Sequence, residues 1–269
     1  MAAAFTAARV VLLGESHDNP WHHRGEAWAL RRLVEQGRHP VVVLEMITTA
    51  EAEAVGQCGE GRCAVAAFAR AVGWNERGWP DWRIYEPVLA EILDAGLVVL
   101  PASLPRSLEA ELAVAGNRSG DYPFVDRLGL AEPLPGPVWA QMAAEIREAH
   151  CGHAPEQRLH AMIQVQRVRD GFMADTLATA QIGATAVLVA GTGHVRADRG
   201  VPVQLAKLQP GLPMLSIGFL ETVEGRDDPR AYLEASDTAV LPFTFVWFTE
   251  PAETQDPCEK YREQLQRLR

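Results

Sequence analysis

Apolar and polar residues fall in blocks along this chain, and the blocks alternate between two periods. "RVVLLG" is a short β-branched run closed by Gly14, which predicts a buried parallel strand rather than a half-exposed one. Asp18 or Asn19 can cap the helix that follows, and Pro20 suits its first position. Its apolar stripe runs through His23, Ala27, Leu30 and Val34 until Gly37 stops it. "PVVVLEM" is then a second strand, which completes a β-α-β unit of the kind that builds parallel sheets.

The same alternation returns later. "WRIYEPVLAEILDAG" reads as a helix stopped by Gly96 and followed by the strand "LVVLPAS". Much further on, "TAVLVAGTGH" reads as a strand, "VPVQLAKL" as a short helix and "PMLSIGF" as another strand. "TAVLPFTFVWF" is expected to be a last strand, antiparallel at an edge, and "PCEKYREQLQRLR" a closing amphipathic helix. Between Leu104 and Ile182 no strand pattern stands out, and "NRSGDYPF" and "EPLPGP" read as loops. The expected architecture is therefore one α/β domain over residues 1–269, with a mainly parallel central sheet flanked by helices. A helical subdomain of about 104–182 would be inserted over the carboxyl ends of the strands.

Ligands of open parallel sheets bind beyond those carboxyl ends. Glu15 and His17 follow the first strand, Glu45 ends the second and His194 follows "VLVAG", so the topology predicts that the four converge. Gly14-Glu15-Ser16-His17 and Gly191-Thr192-Gly193-His194 share a Gly-x-x-His spacing in which the glycine allows a tight exit from the strand. A single such histidine reads as a cap or a solvent-facing residue; two copies together with two glutamates read as a site. His23, at the start of the first helix, should face the sheet near His17, with a satisfied core histidine as the alternative, whereas His22 and His39 read as ordinary.

A stripe of Leu159, Ile163, Gln166, Asp170, Met173 and Leu177 makes the helix from about Pro155 apolar on one side except at Gln166 and Asp170. A buried carboxylate there needs a partner, and Arg169, Arg106 or Arg196 could supply it; the other reading is that this helix closes a pocket. "HCGHAPEQRLH" gathers His150, Cys151, His153 and His160 without zinc-finger spacing, in what reads as a helix-joining loop, and its ligand types would suit haem iron or a transition metal.

Composition narrows the classes of function. With 269 residues and 48% hydrophobic content the chain can bury a full core. A formal charge of −10, from 35 acidic and 25 basic residues, disfavours a nucleic-acid partner, which would call for a basic face. Four cysteines are too few and too scattered for a disulfide scaffold. "CGEGRC" could close a small bridge between Cys58 and Cys63, but a reduced pair is the expectation. The N-terminus has no basic segment ahead of an apolar core and no segment is long enough to span a membrane, so the chain reads as cytoplasmic as written. A periplasmic or lipoprotein form would require that a signal segment had been removed.

"LLGESHDNPWHH", "VVVLEM", "QRVRDGFMADTL" and "VLVAGTGHVRADRGVP" together resemble the ChaN-like haem-binding uptake family, grouped in one superfamily with erythromycin esterases and the Tiki and TraB proteases. The resemblance implies an α/β fold whose strand ends gather Glu15, His17, Glu45 and His194, with Gln166, Arg169 and Asp170 from a Gln-x-x-Arg-Asp helix. Members are often surface lipoproteins, whereas the sequence as written reads as one without the signal peptide and lipidation cysteine that go with that, so a role in capturing extracellular haem is not the expectation unless such a segment had been removed. Ser103 also stands where the resemblance leads one to expect asparagine, next to a retained Arg106.

The resemblance implies haem binding linked to iron handling, with Tyr85, Tyr122, His150 and His153 as candidate iron ligands. His23, Arg106, Gln166, Arg169, Asp170 and Arg196 are expected around a haem or another small-molecule ligand, and a homodimer is compatible with this reading. The alternative is an esterase or peptidase in which Glu15, His17, Glu45 and His194 are catalytic, either directly or through a divalent metal at His17, Glu45 and His194. A bare interaction module explains the polar strand ends least well.

Overall fold

The computed structural model describes residues 2–58, 63–115, 122–234, 242–252 and 257–260. Its centre is a six-stranded sheet built from β1 (Val10–Glu15), β2 (Val41–Thr48), β3 (Val99–Ser103), β4 (Ala186–Gly191), β5 (Met214–Glu221) and β6 (Phe245–Thr249), in the order β3-β2-β4-β1-β5-β6. Every pairing is parallel. All six residues of β1 are buried, as its unbroken apolar run requires of a strand covered on both faces. Its successive side chains serve two different cores: Val11 and Leu13 join one with Leu30 and Leu33, while Val10 and Leu12 join a second with Met173 and Leu177.

The helices that do this covering are α1 (Pro20–Glu35), α2 (Glu86–Asp94), α3 (Arg106–Ala115), α4 (Gly136–Ala149), α5 (Glu156–Ala180) and α6 (Val201–Leu208). Asn19 caps α1 by accepting the Trp21 and His22 N–H groups through its side chain, and Pro20 opens it. Among the described residues, the chain between β3 and β4 holds α3, the short helix Phe124–Arg127, α4 and α5, and no strand. The 25-residue α5 packs along β3, β2 and β4 and against α3 and α6, so the helical stretch sits on the sheet and reaches its carboxyl edge.

The last strand departs from expectation. β6 does occupy an edge, but it runs parallel to β5. The 222–244 connection is long enough to carry the chain back to the starting end of the sheet, which a tight antiparallel hairpin would not need. Cys58 is bonded to Cys63, where a reduced pair is the expectation, and Cys151 is bonded to Cys258, a pairing the spacing does not suggest. Most of "NRSGDYPF" and the end of the closing helix lie outside the described residues, although Pro257–Lys260 is helical. No helix among the described residues is long and apolar enough to cross a membrane.

Topology then sets the position of the site. From β1 the chain moves to one side to build β2 and β3, returns to insert β4 beside β1, and moves to the other side for β5 and β6. Ligand crevices form outside the carboxyl ends at such a switch. Glu15 stands opposite Gly191 and Leu44 opposite Val189, so the ends of β1, β4 and β2 lie side by side. A Cβ on Gly14 would collide with Val195 Cγ2, and one on Gly191 would fall 3.1 Å from His17 Nε2, so both glycines let the loop after β4 close against β1.

Candidate functional site

Glu45 is the hub. Its Oε2 accepts the Gly191 N–H at 2.6 Å, and its Oε1 accepts from the Arg169 guanidinium. His194 Nε2 lies 3.5 Å from Oε1 and His17 Nε2 3.9 Å from Oε2. Burial opposes charge on this carboxyl, but His194, His17 and Arg169 outweigh it and hold Glu45 ionised, well below the usual carboxylate range. Ser103 donates to the Glu45 carbonyl oxygen at 2.7 Å, so the serine found in place of asparagine supports the backbone under the hub.

One flank of the hub comes from α5. Asp170 Oδ1 lies 2.6 Å from His194 Nδ1, and the Gln166 amide lies 3.0 Å from the same nitrogen. Burial would strip the His194 proton, but Glu45 and Asp170 on either side hold it, raising the ring to about 9. Arg169 is shared between Glu45 and Glu109, whose Oε1 is 3.6 Å from its Nε. Burial also pushes the Asp170 and Glu109 carboxyls up, against the pull of His194 and Arg169.

The other flank is β1 and α1. His17 Nδ1–H donates to Glu15 Oε1 at 2.9 Å, and the Tyr85 hydroxyl donates to the same oxygen at 3.2 Å. His23 lies beneath, with Nδ1 at 2.8 Å from Glu15 Oε2 and 3.0 Å from Glu26 Oε2, while its Nε2–H donates to the His17 carbonyl at 3.1 Å. Burial resists ionisation of Glu15, yet His23 and His17 bring its carboxyl down to about 2. Burial lowers His23 and His17 in the same way, but Glu15 raises His23 to about 10, and Glu45 and Glu15 raise His17. Glu26 moves the opposite way, to about 8, because burial and the charge on Glu15 both disfavour its anion.

Two cavities meet this wall of charge. The larger, about 550 Å³, is bounded by His17, Glu45, Arg169, Trp79, Arg77 and Arg106, and the Trp79 ring packs edge-on against His17 at 4.8 Å. The smaller, about 270 Å³, lies on the far side of Gln166 and Asp170, between α4 and α5, with Met142, Ile146, Met162 and His150 in its wall.

The structure thus brings together Glu15, His17, His23, Glu45, Gln166, Arg169, Asp170 and His194, with Arg106 at the rim. Arg196 is elsewhere: it forks onto Asp198 at 2.7 and 2.9 Å and lies over the Phe243 ring. Tyr85 is wholly buried with its hydroxyl on Glu15, which takes it out of the set of haem ligands reachable by an iron. Tyr122 packs against Phe124, and His150 and His153 lie in the turn joining α4 to α5. His22, expected to be ordinary, is fully buried: it accepts the Ser16 N–H at 2.8 Å and meets Thr249 at 2.9 Å, and burial lowers it to about 4. A divalent ion at His17, Glu45 and His194 would have to displace Arg169 and the Gly191 N–H, which already occupy Glu45.

Fold and cluster together define an α/β protein whose ionisable groups gather at the carboxyl edge of a parallel sheet. The family described as haem-binding uptake, Tiki superfamily, ChaN matches residues 1–205, and the chain belongs to that family. Among solved structures, ChaN of Campylobacter jejuni, described with cofacial haem, is similar over 82% of this chain and 84% of its own, with a TM-score of 0.63 and 22% identity. At that identity the likeness shows the fold. An erythromycin esterase, EreC, in its open conformation aligns with 82% of this chain and 72% of its own, at a TM-score of 0.47 and 16% identity. No curated protein matches the sequence.

Proposed function

We propose that this protein binds haem, with the His150 imidazole as the axial iron ligand. The observation that carries this reading is the ring's hydrogen bond: His150 Nδ1–H donates to the Ile146 carbonyl at 2.7 Å. A carbonyl can only accept, so the neutral ring keeps its proton on Nδ1 and its lone pair on Nε2, the arrangement in which histidines bind metals. The same ring borders the 270 Å³ cavity, where Met142, Ile146 and Met162 offer the apolar contact a macrocycle needs. Enclosing pockets for ligands of drug size run from roughly 300 to 1,000 Å³. This cavity would therefore grip one edge of the haem and leave the rest at the surface. Haem supplies iron chemistry when bound; the residues here supply its hold and orientation.

Hemin titration of the apo-protein is the test. A stoichiometric Soret band is expected in the wild type and in Tyr122→Phe, and its loss in His150→Ala. A spectrum that matches hemin adsorbed on an unrelated acidic protein, or one unchanged in His150→Ala, overturns the assignment.

A second reading, hydrolysis, is favoured by the Glu15–His17 pair. Glu15 fixes the Nδ1–H of His17, which turns Nε2 toward Glu45 and the 550 Å³ cavity, so the deprotonated ring is oriented as a general base, and the imidazolium that Glu45 and Glu15 favour is oriented as a general acid toward a leaving group. Arg169 and the protonated His194 lie where they could stabilise developing negative charge. If so, a panel of p-nitrophenyl esters should be cleaved, and His17→Ala should lower the rate by about 10²- to 10⁴-fold without weakening hemin. Turnover no faster than in buffer removes this reading.

A further inference from the structure

We propose that Glu15, His23 and Glu26 hold a divalent transition-metal ion, Zn²⁺ by their donor chemistry, in a closed structural site beneath the strand edge. The three side chains are buried, at 2%, 0% and 0% exposure, and their donor atoms lie within 4.8 Å of one another.

The orientation of His23 is the first argument. Its Nε2 faces the His17 carbonyl at 3.1 Å, so Nε2 must carry a proton. In the neutral ring, Nδ1 is then a lone pair pointing at two carboxylate oxygens, 2.8 and 3.0 Å away. A lone pair held there would be repulsive, so a cation, either a second proton on the ring or a metal ion, must stand between ring and carboxyls. One proton on Nδ1 can serve only one oxygen well, and it is aimed at Glu26 Oε2. Glu15 Oε2 and Glu26 Oε1 are left buried with no hydrogen-bond partner, two of the five such side-chain atoms among the described residues. Buried carboxylate oxygens without donors are costly.

A metal ion answers all of these atoms together. His23 Nδ1, Glu15 Oε2 and one oxygen of Glu26 give three donors, one per residue, and the second, unpartnered Glu26 oxygen is the candidate for the fourth position. Glu15 Oε1 is not needed, since His17 and Tyr85 already fill it. The Nε2–H bond to a backbone carbonyl is the outer contact that orients a metal-binding histidine. Imidazole among the donors favours Zn²⁺ and its transition-metal neighbours over Mg²⁺ or Ca²⁺. Charge is compatible as well, because a 2+ ion balances two ionised carboxylates. An ion here would fix Glu15, and through it the direction of His17. This site shares no ligand with haem.

Elemental analysis of the intact chain, purified without chelators and free of haem, decides it. One equivalent of Zn²⁺ or another divalent first-row ion is expected to survive dialysis against EDTA. Glu26→Gln and His23→Ala should lose it, whereas Glu45→Gln and His150→Ala should keep it. Should His23→Ala not fold, Glu26→Gln and the wild type suffice: chelator-treated, refolded wild type should gain melting temperature when Zn²⁺ is added, and Glu26→Gln should not. Wild type that holds no divalent ion as purified and takes up none on refolding with Zn²⁺ overturns the proposal, as does an ion that Glu26→Gln retains.

Discussion

Glu45→Gln is expected to destabilise the fold by about 3 to 5 kcal/mol, the usual cost of removing one partner from a buried charge network. The carboxylate it replaces is 2% exposed and receives Arg169 and the Gly191 N–H directly, with His194 and His17 close by. The glutamine amide can accept through only one of its two ends, so the other turns N–H groups toward an existing donor. Arg169 and His194 also lose the anion that balanced them. Chemical denaturation at pH 7 measures the loss directly. A melting scan should show it as roughly 2 to 4 °C per kcal/mol for a chain of this size.

The acid limb carries a second signature. Because Glu45 is held below its ordinary range, its contribution is present above the unfolded value of 4.5 and fades as pH falls through the lower folded value. Glu45→Gln should therefore have a shallower acid limb than the wild type. Adding Arg169→Leu should cost less than the sum of the two single changes, since the pair fails together. A loss below about 1 kcal/mol, the range of an exposed ion pair, would mean that the hub is solvated and that the strand edge is an ordinary one.

How far the site is legible in the sequence follows from how each residue is placed. Glu15, His17, Glu45 and His194 sit at the ends of apolar runs, and strand ends can be read from a sequence because the runs stop there. Parallel topology then brings those ends together whatever the intervening loops do. Gln166 and Asp170 are legible for a related reason: they interrupt an apolar helical stripe. Glu26 is not, because it shares its helix with charged residues at Arg24, Arg31 and Arg32, and nothing local distinguishes the one that faces inward. Its burial follows from a pairing with His23 three positions earlier, and both meet Glu15 only once α1 packs on β1.

Trp79 and Arg77 are hidden for a different reason. They lie in irregular chain between short helices, where no period exists to assign a direction. The direction of β6 escapes its own residues because an edge strand carries the same β-branched and aromatic pattern whether it pairs parallel or antiparallel; the length of the preceding connection holds the better information. The disulfide between Cys151 and Cys258 joins residues 107 positions apart, a separation from which no sequence spacing rule could select a partner.

His194 should make stability fall on the alkaline side. Its ring is raised from 6.5 to about 9 because Glu45 and Asp170 hold the proton against burial. A group with a raised folded value contributes fully below its unfolded value, so this contribution is complete below pH 6.5 and is lost as pH rises through about 9. At about 1.4 kcal/mol per unit, the displacement corresponds to a loss of the order of 3 kcal/mol across that window. Asp170→Asn removes one of the two anions, so the ring should lose its proton at lower pH and the decline should begin earlier. His22 works in the other direction: buried and lowered to about 4, it is neutral in the fold and takes up a proton on unfolding as pH drops below 6.5. Urea midpoints taken at intervals from about pH 5 to 10 should therefore show an alkaline limb that Asp170→Asn moves to lower pH. An alkaline limb that stays where it was in Asp170→Asn would show that the proton on His194 is not held by the Asp170 pairing, and that the contact at 2.6 Å is not a charged one.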